Sequence, residues 1–122
     1  MAGLVQSEQQ SALDFLFPTS GATDFIAYSV NGTSETGILA RTAIGATGWA
    51  AATAATPSVK SNNAALTSAA ATGSGTITHV AVYDASTAGN QRTDWQAVGT
   101  SRAVVADDQI TWAIGALDIT CD

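Results

Sequence analysis

Charge is what this chain has least of. Only 11% of its 122 residues are Asp, Glu, Lys or Arg, against about a quarter in an ordinary soluble domain. Burial at subunit interfaces disfavours Lys and Glu, so a surface this poor in charge suits a protein covered by other subunits better than a free enzyme. The basic side chains are Arg41, Lys60, Arg92 and Arg102, scattered along a chain of net charge −6. No basic footprint exists for phosphate contacts, which argues against nucleic acid as a partner. Cysteine is reduced to Cys121, so an intrachain disulfide and a cysteine-based metal cluster are both excluded. Cys121 itself reads as a small apolar residue of the last strand. No apolar run approaches the ~20 residues of a membrane-spanning helix. Met1-Ala2-Gly3-Leu4 lacks a basic region followed by an apolar core, so no secretory signal is expected. We therefore expect synthesis in the cytoplasm, action there or in something assembled there, and no membrane partner.

What the chain does have is Ala, Thr, Ser and Gly, with β-branched residues gathered into short runs. The clearest is Gly75-Thr76-Ile77-Thr78-His79-Val80-Ala81-Val82-Tyr83-Asp84-Ala85. Thr, Ile, Val and Tyr fit a pleated, half-buried surface. At period two, Ile77, His79, Ala81 and Tyr83 point one way and Thr76, Thr78, Val80 and Val82 the other. Both faces are apolar toward the end of the run, so this strand should have neighbours on both sides. Asp84 to Asn90 then breaks it with turn formers.

In chain order, Ser7 with Gln10 has the capping-box form, and Ala12, Leu13, Leu16 and Phe17 follow at helical spacing. A helix is expected over 7–17, ended by Pro18 and Gly21. Phe25 to Val30 is a strand closed by Asn31-Gly32, a strong hairpin signal, although Thr33 to Gly37 indicates a longer, exposed loop, and Ile38 to Ile44 should pair back on it. Trp49 to Thr53, Ser58 to Lys60 and Ala64 to Ser68 read as short strands, because Pro57, Asn62-Asn63 and the recurrent Thr and Ser interrupt every helical window. Thr93 to Thr100 and Ala103 to Val105 follow as two more. Gln109 to Ile114 alternates with Ile110, Trp112 and Ile114 on one face. Beyond Gly115, Leu117, Ile119 and Cys121 form an inward row. About eight short strands separated by regular turn signals indicate an all-β fold, an antiparallel β-sandwich of jelly-roll-like form with one short N-terminal helix. One domain is expected over 1–122, with the sandwich over 24–122.

Catalytic chemistry finds little support. His79 is the one histidine, and no serine stands in a Gly-x-Ser-x-Gly elbow. Neither Asp107-Asp108 nor the Asp84–Asn90 loop matches the ~12-residue calcium loop, with its Gly at the sixth position and Glu at the last. A glycine-rich phosphate loop is absent, and no cofactor is implied. Trp49, Trp95 and Trp112 belong to core or interface by habit, with sugar stacking as the alternative use.

Several segments together are familiar. Ser11-Ala12-Leu13 with Leu16, the strand Phe25 to Val30, the run Gly75 to Ala85 followed by Gly89-Asn90, and the close Ile114-Gly115-Ala116-Leu117-Asp118-Ile119-Thr120 resemble a small family of tailed-bacteriophage proteins. Its members are usually described as tail or tail-fibre proteins, and some similar proteins act as cement or decoration on icosahedral heads. The family pattern is G-T-[IV]-T-H-[FV]-[AG]-[IV]-[FY]-D-A near the middle and G-x-L-x-[IL]-T at the end. It departs here after the first strand, where relatives continue into a longer loop and this chain has the short Asn31 to Gly37. The resemblance implies a virion structural protein without enzymatic activity. The expected role is capsid cement joining capsomers, with the chain itself (as a homotrimer) and the phage major capsid protein as partners; the alternatives are a tail or tail-fibre component and a carbohydrate- or receptor-binding module. The N-terminal segment concentrates apolar residues, and Leu4, Val5, Leu13, Leu16 and Phe17 are the candidate subunit contact.

Overall fold

The computed structural model describes residues 5–17, 24–45, 48–54 and 58–121. Helix α1 (Gln6–Leu16) precedes eight strands: β1 (Phe25–Ser29), β2 (Thr42–Ala43), β3 (Ser58–Ser61), β4 (Leu66–Thr67), β5 (Gly75–Tyr83), β6 (Gln96–Val104), β7 (Thr111–Trp112) and β8 (Asp118–Cys121). The fold is all-β with a single short helix among the described residues, and every strand pairing with a resolved register is antiparallel. The chain forms two compact units, each drawn from segments far apart in sequence.

The unit built from residues 24–43 and 66–111 holds a four-stranded sheet in the order β2-β1-β5-β6. The run from Gly75 is β5, and it has a paired strand on each edge, β1 on one and β6 on the other. Phe25 to Ser29 pair with Tyr83 to His79. Ile26, Ala27, Tyr28 and Ser29 are all buried, so both faces of β1 are covered. The Tyr28 hydroxyl meets its polar requirement by bonding Thr42 Oγ1 on β2. Ile77, Ala81 and Val82 carry the β5 side of the core.

The return strand is much shorter than Ile38 to Ile44. Only Thr42 and Ala43 pair with β1, because Ile38 is drawn elsewhere. Its carbonyl accepts the Thr72 N–H at 2.8 Å. Its side chain lies where Cβ atoms at Gly73 and Gly75 would stand, 3.2 and 2.8 Å away, so those glycines make room for it. Asn31-Gly32 does turn the chain, through side-chain capping rather than a tight hairpin. Ser29 Oγ accepts the N–H groups of Asn31 and Gly32, and Asn31 Oδ1 accepts those of Thr33 and Ser34.

Residues 96–104, read from sequence as parts of two strands, are the single strand β6. The break survives as a bulge. Ile77 pairs with Arg102 and His79 with Ala97, so Thr78 alone faces the four residues Val98 to Ser101. Extra residues on one strand bend and blunt an edge. Strand β7, whose first residue closes this unit, is the partner of β4.

In the other unit, from residues 1–23, 44–65 and 112–122, β3 pairs with β8 from Ser58↔Cys121 to Ser61↔Asp118. The chain from Trp49 runs along the other side of β3, with Ala50 N–H bonded to Ser61 O and Thr53 N–H to Val59 O. Helix α1 packs on β3 and β8. It starts at Gln6, one residue before the expected 7, and its N-cap is Val5 rather than Ser7, with no side-chain cap. Leu13 and Phe17 are buried, and the Phe17 ring meets the fully buried Trp49 edge-on at 5.6 Å. Burying side chains of that size is worth about 1.5–3 kcal/mol each. Polar side chains complete the join. Gln9 Oε1 accepts the Ser58 N–H, Gln10 Nε2 donates to Ala52 O, and Asp14 Oδ1 accepts both the Ala52 N–H and Lys60 Nζ, the last at 2.6 Å. Lys60 is completely buried. Asn62, also buried, donates to Ala64 O and Ala113 O and accepts the Leu117 N–H, binding three segments through one amide.

Candidate functional site

The five residues named as a subunit contact divide between inside and outside. Leu4 lies outside the described residues. Leu13 and Phe17 belong to the core of their own unit, and Val5 and Leu16 are exposed. Phe15, which is not among those five, is the most exposed large apolar side chain of the described residues, at 85%. The reason is helical geometry. Gln9, Leu13 and Phe17 stack at four-residue spacing on one face, while Phe15 lies about 200° from Leu13 around the axis.

The tryptophans separate in the same way. Trp49 and Trp112 are buried, which removes them as sugar platforms. Trp95 is half-buried, its ring tilted against that of Tyr83 at 6.2 Å. His79 has a local role: its Nδ1 bonds Thr78 Oγ1 at 2.8 Å, and its ring lies against Gly32. Asp107-Asp108 forms a turn, with Asp108 Oδ2 accepting the Val105 N–H. Among the described residues no three His, Cys, Asp or Glu side chains gather closely enough to hold a metal ion.

The four-stranded unit carries an open groove of about 330 Å³ lined by 35–37, 39–41, Ala70, Thr72 and 86–88. Arg41 organises it. Its Nε and Nη2 donate to the two carboxylate oxygens of Glu35, and its Nη1 donates to the carbonyls of Ala85 and Ala88, all at 2.8 Å. The guanidinium also stacks on Tyr83, with Cζ 3.9 Å from the ring centroid. The bond to Glu35 is the main cause holding the Arg41 pKa above its ordinary value. A planar fork can serve a carboxylate, two carbonyls and a ring together, which an ammonium cannot.

Arg41 thereby fixes the loop that follows β5. Asp84 holds the loop's other end, accepting the Asn90 N–H at 2.8 Å and its side-chain amide at 3.1 Å. Those two bonds, the backbone one first, lower the Asp84 pKa. Between them Ala88 sits at φ 51 and Gly89 at φ 71. At Gly89 a Cβ would meet Asp84 Oδ1, so only glycine fits. Nothing local in the sequence announces this site. Glu35 and Arg41 are six residues apart across a loop, a spacing with no helical or strand meaning, and their meeting with residues 85–88 depends on the β1–β5 pairing.

Residues 11–120 match the family model described as Podophage GP4 fiber I protein gp80. No curated protein matches the chain.

Proposed function

As a member of the podophage GP4 fiber I protein gp80 family, this chain is a structural protein of the bacteriophage virion, and from that premise we propose that it is a component of the tail fibre. The observation that carries the reading is the extent of the match, which leaves only residues 1–10 and 121–122 outside it. The family's description supports a fibre more directly than capsid cement, the role expected first from sequence. The low-charge surface suits either place, since both demand extensive contact with other subunits. A structural rather than catalytic role agrees with the side chains of the four-stranded unit: Arg41, Asp84 and His79 all serve the fold.

We further propose that copies of the chain assemble with one another through the outer side of α1, where Val5, Phe15 and Leu16 are exposed. Substitution is a cleaner test than removal of the helix, because Leu13 and Phe17 are core residues. Phe15→Ser should leave the circular dichroism unchanged and lower the molar mass measured by light scattering. An unchanged mass sinks the contact.

Location is tested on purified virions by quantitative mass spectrometry against the major capsid protein, with immunogold labelling. A fibre component gives a copy number far below that of the capsid protein and label at the tail. Copies in proportion to capsomers, with label over the head, would overturn the fibre reading in favour of cement.

A further inference from the structure

We propose that the groove organised by Arg41 is a binding site for an uncharged, hydroxyl-rich ligand, such as a short stretch of neutral glycan. The inference does not depend on where in the virion the chain sits.

Three observations carry it. The first is the construction of the 84–90 loop. Residues 86–90 are exposed, yet Arg41 grips the loop through the carbonyls of Ala85 and Ala88, and Asp84 closes it by accepting two bonds from Asn90. Ala88, a residue with a Cβ, is kept at φ 51 between them. Such a conformation persists only where the surroundings over-determine it, and it is concentrated at sites that present a fixed surface. Here the fixed surface is one wall of the groove, formed by Ser86, Thr87 and Ala88.

The second is the chemistry left free on that wall. The Ser86 and Thr87 hydroxyls make no hydrogen bond within the described residues, so each can donate and accept. Thr36 and Thr72 stand in the same lining, with their hydroxyls engaged only by long bonds of 3.3 and 3.4 Å to the Ile38 backbone. Leu39, Ala40, Ala70 and Ala88 supply small apolar contacts between them. A lining that holds both hydroxyls and small apolar groups matches the two kinds of surface a sugar ring carries.

The third is charge. Arg41 is the cation of the lining, and it is spent on Glu35, with its side chain only 6% exposed. The pair is neutral, and Asp84 adds a carboxylate close enough to be felt at Arg41. An anionic ligand would find no free cation and would be repelled. A neutral polyol can instead donate to the remaining lone pairs of Glu35, whose side chain is 30% exposed. The volume lies at the small end of ligand sites, which suits one or two sugar rings rather than a folded partner.

The test is titration of the isotope-labelled protein with a panel of neutral monosaccharides and disaccharides, followed by amide chemical shifts, with glucuronic and sialic acid as anionic counterparts. At least one neutral sugar should shift amides of residues 35–41, 70–72 and 86–88 in a saturable way, and the acids should not. The double variant Ser86→Ala/Thr87→Val removes two exposed hydroxyls that hold nothing in the fold, so it should keep the native spectrum and weaken binding at least tenfold. Absence of saturable shifts with every neutral sugar overturns the proposal. So does tighter binding of the acids, binding that maps elsewhere, or binding that the double variant leaves intact. A short peptide of neutral residues serves as a further arm, and its preference over all sugars would assign the groove to polypeptide instead.

Discussion

Replacing Asp14 by alanine takes away the carboxylate that meets the buried ammonium of Lys60. Nζ lies 2.6 Å from Asp14 Oδ1, the lysine side chain is 0% exposed and the aspartate side chain 41%. Breaking a buried pair costs about 3–5 kcal/mol when one charge is stranded. Solvent reaches Asp14 in the native protein, which discounts the electrostatic part, so we expect about 2–3 kcal/mol here. For a protein of this size that lowers the melting temperature by roughly 6–15 °C. Lys60→Met keeps the volume and removes the charge, and it should lie within about 1 kcal/mol of the parent. In that background Asp14→Ala loses only the bond from the Ala52 N–H, worth about 1 kcal/mol. The cycle therefore yields a coupling of about 1–2 kcal/mol. The same pair has a pH signature. The Lys60 bond, followed by that from Ala52, lowers the Asp14 pKa below 3.8. A depressed carboxylate contributes stability above its unfolded pKa, and this is lost as the pH falls through the folded value. Below pH 3.8 the parent should thus lose stability that Asp14→Ala has already lost. Urea unfolding followed by tryptophan fluorescence measures all four proteins. An Asp14→Ala protein within 0.5 kcal/mol of the parent, or equal losses for Lys60→Met and Asp14→Ala, would refute the reasoning.

Gly32 has two reasons to be glycine, φ of 77 and the His79 ring 2.8 Å from where a Cβ would stand. Gly32→Ala should cost about 1–3 kcal/mol in denaturant unfolding, and His79→Ala in the same chain should recover part but not all of it. Full recovery would mean that the backbone conformation carries no penalty. Arg41→Lys keeps the charge but loses the fork to Glu35 and one or both loop carbonyls. We expect a loss of about 1–2 kcal/mol and faster amide exchange across 84–90, while the helix-bearing unit exchanges as before. Unaltered exchange in the loop would show that Arg41 does not hold it.

The elements legible in the sequence are those whose evidence is local. Gly75 to Tyr83 is a strand because β-branched residues recur along it, and it lies inside the sheet with β1 on one edge and β6 on the other, as its two-sided pattern suggested. The helix was visible from the spacing of Leu13 and Phe17, and the all-β class from short strands punctuated by turn formers. Membership of the phage family was legible in the same kind of stretch, and the family match spans residues 11–120. What the sequence could not show depends on partners distant along the chain. Ile38 leaves its expected strand because Gly73 and Gly75 open a place for it. Residues 98–101 bulge because one β5 residue must face four. Leu13 and Phe17 turn inward while Phe15 stays out, because Trp49 and β3 occupy one side of α1 only. Arg41 becomes the centre of a groove only after β1 and β5 have paired and carried Glu35 and the 84–90 loop to it. Propensity and periodicity are sums over neighbours in sequence, whereas close packing and hydrogen-bond satisfaction are decided between segments brought together by the fold.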